Sequence, residues 1–336
     1  MRAVRWHARG DVRLDEVPVP TPGDTEVLLR IEAAAICGTD VDEVRLGPIT
    51  VPVQPHPVNG RTAPMTLGHE MVGVVSAAGS GSGLAPGARV VPWPSQPCGE
   101  CPECVTGHAN RCPRMVSLGM SVDGGMADYL LVDGSRCVPV GVDVEPERAV
   151  LVEPFAVAFH AVREAPPRRR RVAVVGIGSL GLCLVEAVLQ AGAREVIAVS
   201  RSERARALAL EAGATEAIAP GSAADVDAEI VFETAGAAQA IEASVAAVRR
   251  GGRIVVLGGH PRPTPLDLLD LTVREIAIQG SVSHCFADFA RAAGAITAGD
   301  VARTRRPVTL APLEDGPALL RAEESDTKRI LMPGLS

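Results

Sequence analysis

The sequence of 336 residues predicts an α/β protein of two domains, a partly open β-barrel and a doubly wound parallel sheet of strand order 3-2-1-4-5-6. Three observations predict it. The first 150 or so residues hold short strand-like runs rich in Val, Gly and Pro, separated by turn signals. From about residue 172, apolar strand-like runs alternate with helical segments. A G-x-G-x-x-G motif follows the first of those runs and opens a helix.

The predicted barrel is built from short runs bounded by Pro and Gly turns, such as Thr21-Pro22-Gly23-Asp24. Around Pro146 the pattern changes, and a helix is expected there. The barrel runs that we assign as strands are 26–31, 71–77, 88–92 and 127–132, and the helix is assigned to 146–165.

The second domain is predicted from six apolar runs with helices between them, which fit a doubly wound sheet. These strands are assigned to 172–175, 196–200, 216–219, 229–232, 253–257 and 276–280. Residues from about 288 onwards hold a helix and short strands, too little for a domain of their own. We therefore expect one domain at 1–152 plus 288–336 and another at 153–287.

The glycine motif predicts a dinucleotide site. Gly176, Gly178 and Gly181 follow a buried strand, and a helix is expected over 179–190. The glycines permit a tight turn and a close approach of the backbone to a pyrophosphate, which the positive end of the helix attracts. Ser179 and Leu180 lie inside the motif and are counted with the cofactor-binding residues. A glycine-rich turn without a ligand is the alternative.

The end of the second strand indicates which nicotinamide binds. NAD-binding units carry a carboxylate there for the ribose hydroxyls, whereas this strand ends in Ser200 and Arg201. A serine and an arginine can hydrogen-bond and pair with a 2′-phosphate. NADP is therefore predicted over NAD, and the nearby Glu203 is the reason to keep NAD as the alternative.

Further cofactor contacts are expected where later strands end, because ligands of such sheets bind at the carboxyl edge. The alternative is that the glycines at these ends only form turns. The residues concerned are Thr234 to Gly236, Leu257, Gly258 and Gly259, and Ser281 to Ser283.

Four cysteines form a compact cluster with C-x2-C-x2-C-x7-C spacing, at Cys98, Cys101, Cys104 and Cys112. Four thiolates within fifteen residues can enclose one tetrahedral zinc ion and leave no position open for substrate. We therefore predict a structural zinc. Unligated thiols or an iron–sulfur cluster are the alternatives, although the flanking sequence does not match the usual ferredoxin run.

Composition excludes several classes of function. Net charge is −7, and the densest basic run, 168–171, directly precedes a buried strand, so no nucleic-acid partner is predicted. The sequence has no apolar run of about 18 residues and no apolar signal-peptide core near Met1, so no membrane partner is predicted. We expect a cytoplasmic protein, whose eight cysteines are metal ligands or buried thiols.

Four more residues with metal-binding chemistry are dispersed along the chain: Cys37, His69, Glu70 and Glu153. Each alone has a structural explanation in a core or at a helix start. Together with other motifs, these residues make the whole chain resemble the zinc-dependent medium-chain alcohol dehydrogenases. The motifs are CGTD at 37–40, GHE at 68–70, GGMADY at 124–129, VEP at 152–154 and GGRIVVLG at 251–258.

The resemblance implies a GroES-like barrel as the catalytic domain, a Rossmann cofactor domain and an active site in the cleft between them. Cys37 and His69 match direct ligands of a catalytic zinc ion. Glu70 and Glu153 are the two candidates for its third protein ligand. The glutamate in VEP resembles the sorbitol and butanediol branch. Two zinc ions per chain and a homodimer or homotetramer are implied.

The resemblance also implies roles around that metal. Asp40 is expected to orient His69, and Thr39 stands where the family places a hydroxyl that passes the substrate proton outward. Many relatives continue this relay with a histidine at the position that Asp42 occupies here. Either Asp42 or water relays the proton here, or the pH dependence of activity differs from that of those relatives.

The substrate is indicated by a narrower resemblance. The segment from Gly47 to Glu70, with His56-Pro57, is similar to that of 2,3-butanediol dehydrogenases and implies a small vicinal diol or hydroxyketone. Trp93 and His56 are the candidate substrate-contacting residues, with barrel packing as the alternative for Trp93. A polyol or cyclitol dehydrogenase, a zinc-free enone or quinone reductase and a non-catalytic binding protein are the competing hypotheses.

Overall fold

The computed structural model describes residues 1–260, 262–302, 307–322 and 327–335. Strands dominate the first 140 residues, and helices and strands alternate afterwards. The strands are β1 (Arg2–Ala8), β2 (Asp11–Glu16), β3 (Glu26–Ala35), β4 (Met65–Thr66), β5 (Glu70–Ala78), β6 (Arg89–Pro92), β7 (Ser95–Gln96), β8 (Val116–Ser117), β9 (Tyr129–Asp133), β10 (Cys137–Pro139), β11 (Arg171–Val175), β12 (Glu195–Val199), β13 (Glu216–Ile218), β14 (Ala228–Glu233), β15 (Val248–Val256), β16 (Ala277–Gly280), β17 (Val308–Ala311) and β18 (Lys328–Leu331).

The α-helices are α1 (Gly38–Leu46), α2 (Pro102–Val105), α3 (Pro146–Ala149), α4 (Val152–Glu164), α5 (Ser179–Gln190), α6 (Glu203–Glu211), α7 (Ala238–Ala247), α8 (Leu268–Arg274), α9 (Phe286–Ala298) and α10 (Gly316–Arg321). Short 3-10 turns lie between several of these elements.

The chain folds into two units. The first comprises Met1–Glu153, Cys285–Ala298 and Pro307–Ser336, and the second comprises Pro154–His284 and Gly299–Arg306. The domain boundaries expected from the sequence stay a prediction, because compactness alone does not test which segments fold independently.

The first unit is a set of mostly antiparallel strands around one apolar core, with β17 parallel to β18. Its largest sheet has the order β10-β6-β5-β3-β18-β17, with β9 also paired to β3, beside the smaller sheet β2-β1-β4. Val27, Leu29 and Ile31 of the long strand β3 belong to this core at the spacing of two expected for a strand, and the strand is buried on both faces over much of its length. Trp6, Leu29, Ile31 and Met65 are among the fully buried side chains there.

The second unit is a six-stranded parallel sheet of order β13-β12-β11-β14-β15-β16. In chain order this is 3-2-1-4-5-6, so the predicted doubly wound fold is confirmed. The strands β11, β12 and β14 are almost completely buried, which explains why they read as continuous apolar runs in the sequence. The helix over Ser179–Gln190 has the predicted bounds.

One predicted helix is wrong in extent. The segment 146–165 forms two helices, α3 and α4, rather than one. Pro154 lies in the first turn of α4, where its missing N–H costs nothing, but it cannot donate to the carbonyl of Val150. A continuous helix is therefore interrupted at 150–151.

Most predicted strands agree with the structure to within a few residues at their ends. The largest difference is β15, which begins at Val248 instead of residue 253 and contains an irregularity opposite β14. Gly251 has a φ of +67° in this stretch. In the described residues, no helix is long and apolar enough to span a lipid bilayer.

Candidate active site

Cys37 and His69 are held next to one another by Asp40. Cys37 immediately precedes helix α1, and its backbone N–H donates to one carboxylate oxygen of Asp40 at 2.8 Å. The other carboxylate oxygen lies 3.5 Å from Nδ1 of His69. Asp40 and His69 are both buried. One carboxylate thus accepts from the backbone at Cys37 and lies within ion-pair distance of the His69 ring.

A sharp turn brings His69 to this place. Gly68 has a φ of +97°, which disfavours any other residue, and a Cβ there would lie 2.7 Å from Cγ of Met126. A Cβ added to Gly119 or to Gly124 would likewise overlap the backbone of Gly68. The local sequence around GHE is therefore fixed by close backbone approach, which positions His69 at the start of β5.

Glu70 is buried and forms an ion pair with Lys328, whose Nζ lies 2.6 Å from Oε2 of Glu70. Burial raises the pKa of Glu70, whereas the Lys328 ammonium acts in the opposite direction. Burial lowers the pKa of Lys328, but the charge of Glu70 outweighs this effect, and the pKa is raised. The segment 328–333 is part of the sequence similarity to 2,3-butanediol dehydrogenases, but Lys328 was not predicted as a site residue, because it lies more than 250 residues from Glu70.

The donor atoms of Cys37, His69 and Glu70 all lie within 4.8 Å of one another. A thiolate, an imidazole and a carboxylate are the ligands that zinc prefers, so these residues fit a zinc ion with a fourth position open. Burial lowers the pKa of His69, but the charges of Asp40 and Cys37 outweigh it, and the pKa is raised well above its ordinary value. The site is thus electrostatically prepared for a cation.

The other residues predicted at this site lie around the trio. Among the described residues, the trio of donor atoms within 4.8 Å does not include Glu153, although the charge of Glu153 acts on both Glu70 and Lys328. The hydroxyl of Thr39 lies 3.7 Å from Sγ of Cys37. Asp42 is half-buried in helix α1.

The four-cysteine cluster has the geometry of a tetrahedral site. Cys98, Cys101, Cys104 and Cys112 lie with neighbouring sulfur atoms 3.4 to 3.9 Å apart. Zinc–sulfur bonds of about 2.3 Å in a tetrahedron require sulfur atoms about 3.8 Å apart. Hydrogen bonding from the backbone of Glu100 lowers the pKa of Cys98 to about 6, which favours the thiolate. The cluster therefore fits a zinc ion without an open position.

Arg114 is a second partner of this cluster that sequence reasoning missed. Its Nη2 donates to Sγ of Cys98 at 3.2 Å and lies 2.8 Å from a carboxylate oxygen of Glu100. Four thiolates exceed the charge of one zinc ion, and a guanidinium beside them offsets part of the excess.

The glycine turn has the space that a cofactor needs. Gly176 has a φ of +93°, and a Cβ on it would lie 2.8 Å from the backbone N of Ala235. A Cβ on Gly181 would overlap the carbonyl oxygen of Gly176, whereas a Cβ on Gly178 meets nothing within 4 Å. Gly176 and Gly181 thus shape the turn, and Gly178 faces open space at the start of α5.

The ends of β11 and β14 are tied together at this turn. The hydroxyl of Thr234 donates to the carbonyl of Gly176 at 2.6 Å. Glu233, fully buried, accepts hydrogen bonds from the backbone N–H groups of Ala235 and Gly236 at 2.7 and 2.8 Å. Glu233 was not predicted as a site residue, because its role depends on backbone groups that the sequence does not locate.

The remaining predicted cofactor residues lie at the same carboxyl edge of the sheet. Leu257 and Gly258 donate their backbone N–H groups to the carbonyl of Glu233. Ser281 directly follows β16, and its hydroxyl is buried without a hydrogen-bond partner in the described residues. Ser200 and Arg201 directly follow β12, with Arg201 exposed, and Ser179 and Leu180 form the first turn of α5. An unpaired buried hydroxyl and open space at Gly178 fit a bound dinucleotide.

The two predicted substrate residues differ in surroundings. Trp93 is buried and packs edge-on against Phe286, with ring centroids 5.3 Å apart, while the Arg136 guanidinium lies 5.8 Å from its ring. His56 lies in the loop between α1 and β4, and its ring accepts a hydrogen bond from the backbone N–H of Val58 at 3.3 Å. These contacts show packing for Trp93 and a local loop contact for His56.

Comparisons with known proteins agree with this geometry. The model of the alcohol dehydrogenase GroES-like domain matches residues 23–142, and that of the zinc-binding dehydrogenases matches residues 179–298. An uncharacterised zinc-type alcohol dehydrogenase-like protein of Escherichia coli is 32% identical over 284 residues, covering 80% of each chain. The (R,R)-butanediol dehydrogenase of Bacillus subtilis is 31% identical over 301 residues, covering 84% of this chain and 85% of the relative.

A solved structure resembles the whole chain. A protein of Sinorhizobium meliloti described as a zinc-binding dehydrogenase, solved bound to NADP, superposes with a TM-score of 0.88 at 30% identity, covering 99% of each chain. The chain therefore belongs to the zinc-dependent medium-chain alcohol dehydrogenases, near their butanediol and sorbitol branch, and is an oxidoreductase.

Proposed function

We propose that the protein transfers hydride between NADP(H) and a secondary alcohol or its ketone, using a zinc ion at Cys37, His69 and Glu70. The observation that carries this proposal is the trio of donor atoms within 4.8 Å of one another, from a half-buried Cys37 and the buried His69 and Glu70. Glu153 is the alternative third ligand, because its charge acts on the same carboxylate. A second zinc ion at the four-cysteine cluster stabilises the first unit.

In the proposed mechanism the chain's own residues orient and move the proton. When bound, zinc supplies Lewis acidity that lowers the pKa of an alcohol hydroxyl, and NADP supplies the hydride acceptor. Asp40 holds the ring of His69 in one orientation. The hydroxyl of Thr39 accepts the substrate proton as it gives its own proton to Asp42, three residues further along α1, or to a water molecule, from which a proton passes to solvent.

The proposed preference for NADP is supported by Ser200 and Arg201 at the end of β12, where no carboxylate opposes a 2′-phosphate. The similar protein of S. meliloti was solved with NADP. We expect Arg201→Ala to lower kcat/KM for NADP at least tenfold and for NAD less than threefold. Arg194→Ala, an exposed arginine at the opposite end of β12, is the control. A tenfold preference of the wild type for NAD would reject this assignment.

The proposed substrate is a small vicinal diol or its hydroxyketone. Support comes from the 47–70 segment and from the butanediol dehydrogenase of B. subtilis. The test is a spectrophotometric panel of alcohols, diols, polyols and ketones with both nicotinamides, together with metal analysis. We expect two zinc ions per chain and the highest kcat/KM with a vicinal diol. A polyol or cyclitol at the top of the panel would favour the alternative substrate class.

We further propose a cytoplasmic homodimer or homotetramer formed through the second unit. β16 ends its sheet, and β15 is its one strand neighbour in the described part of the chain. Exposed apolar side chains accompany this edge, including Leu268 and Leu269 of α8 and Ile278 of β16. Pairing two such edges about a two-fold axis would cover both. We expect the Ile278→Lys variant to sediment as a monomer and the wild type to sediment as a dimer or tetramer.

A further inference from the structure

The buried lysine of the last strand has no role in the function proposed above. Lys328 is 9% exposed, its ammonium pairs with Glu70, and the charge of Glu153 acts on it as well. A buried lysine is retained in proteins only where paired charge offsets the cost of removing it from water. Its position therefore requires an explanation beyond packing.

The position of Lys328 is set by the backbone. In the antiparallel ladder between β18 and β3, Ile330 pairs with Ala35, and the N–H of Ile36 donates to the carbonyl of Arg329 at 2.9 Å. Two residues beyond the Ile330–Ala35 pair, the same register would put Lys328 opposite Cys37. On the other side of β3, Ala35 pairs with Glu70. The two side chains meet beside the metal ligand Cys37.

The ion pair occupies one carboxylate oxygen of Glu70. Nζ of Lys328 lies 2.6 Å from Oε2, a close contact between opposite charges that are both buried. A carboxylate held in this way has one oxygen left for a metal ion. The ammonium also repels any cation that Cys37, His69 and Glu70 bind, because like charges at low local dielectric repel strongly.

We propose that Lys328 is a positioning residue that keeps Glu70 a weak, single-oxygen ligand and so leaves one position of the metal ion open for substrate. This inference rests on the proposed zinc site. It predicts that the protein binds metal less tightly with Lys328 than without it, and that the position kept open in this way is what permits turnover.

The test is Lys328→Met, which keeps most of the side-chain volume and removes the charge. We expect the affinity for Co²⁺ or Zn²⁺ at this site to rise at least tenfold, measured by competition with a chromophoric chelator. We expect kcat to fall at least tenfold, and the visible absorption of the cobalt protein to weaken, because a second carboxylate oxygen raises the coordination number. Lys328→Arg keeps the charge and should stay within threefold of the wild-type affinity.

The partner variant makes the test specific. In Lys328→Met/Glu70→Gln the gain in affinity should vanish, because the carboxylate that the lysine restrains is gone. If Lys328→Met is poorly folded, Lys328→Gln with the same measurements replaces it. Unchanged or weaker metal binding in both would overturn the proposal, as would a raised KM with unaltered metal affinity, which would make Lys328 a substrate-binding residue.

The same measurements distinguish failure of the proposed function from failure of the role proposed for Lys328. Cys37→Ser removes one ligand and serves as the blank for this site. If the wild type holds no more metal than Cys37→Ser, the zinc site itself is absent and the proposed function fails. If the wild type holds one ion more, but Lys328→Met does not bind it more tightly, only the role of Lys328 is wrong.

Discussion

Asp40 connects the two predicted metal ligands: one oxygen accepts the backbone N–H of Cys37 at 2.8 Å, and the other lies 3.5 Å from Nδ1 of His69. With Nδ1 facing this carboxylate, Nε2 is the ring nitrogen left for a metal ion. The same residue therefore contacts both the start of helix α1 and the imidazole.

Asp40→Asn is expected to weaken metal binding at this site about 10- to 100-fold, as loss of a second partner typically does. The amide keeps the shape but loses the charge that raises the pKa of His69. Chelator competition on the cobalt protein measures the effect. Asp11→Asn, an exposed aspartate paired with Arg13, should leave metal affinity unchanged. Equal affinity in both variants would contradict this role for Asp40.

The four-cysteine cluster should hold zinc independently of the catalytic trio. Cys112→Ser is expected to remove one of two zinc ions and to lower the melting temperature by at least several degrees, because the segment 98–112 has few buried apolar side chains of its own. Metal analysis and thermal unfolding measure both effects. Cys183→Ala, a buried thiol in α5, is the control and should keep both ions. Two ions in Cys112→Ser would exclude the structural site.

Two glycines of the same motif should respond differently to a methyl group. Gly181→Ala places a Cβ against the carbonyl oxygen of Gly176, so we expect a loss of stability of several kcal/mol. Gly178→Ala has room in the protein but fills the space assigned to the cofactor. We expect its melting temperature to stay within about 2 °C of wild type and its NADPH dissociation constant to rise at least tenfold. Tight NADPH binding by the Gly178→Ala variant would show that the cofactor does not bind at this turn.

Asp128 should contribute a pH-dependent part of stability. Burial raises its pKa, but hydrogen bonds and charge from Arg2 outweigh this, so the pKa lies below its ordinary value. A depressed carboxylate pKa stabilises the fold above the unfolded value of about 3.9, and the contribution is lost as pH falls through the folded value. Asp128→Asn should thus cost about 1.5–3 kcal/mol at pH 7 and less at pH 3.5, where the contribution has begun to be lost.

Urea unfolding at the two pH values checks this expectation. Asp143→Asn, an exposed aspartate in the same unit, is the control and should change stability by less than about 0.5 kcal/mol at either pH. A constant difference between Asp128→Asn and wild type across the pH range would show that the ion pair with Arg2 does not contribute as a charge.

Local patterns in the sequence predicted much of the fold. Gly176, Gly178 and Gly181 follow a strand and open a helix, and four cysteines within fifteen residues need only a short loop to meet. Strands of the parallel sheet were predicted because both of their faces are buried, which leaves a continuous apolar run. The one extended helix that was wrong, 146–165, depended on Pro154, whose effect reaches back four residues.

The sequence by itself determined the family motifs, the six-strand order and the candidates Cys37, His69, Glu70 and Glu153, because these are matters of residue type and local spacing. Only the tertiary structure decided that Glu70 joins the trio of donor atoms and that Lys328 pairs with it. The pairing of β18 with β3 brings Lys328 and Glu70 together. Such a register is set by backbone hydrogen bonds between distant segments, and no local pattern encodes it.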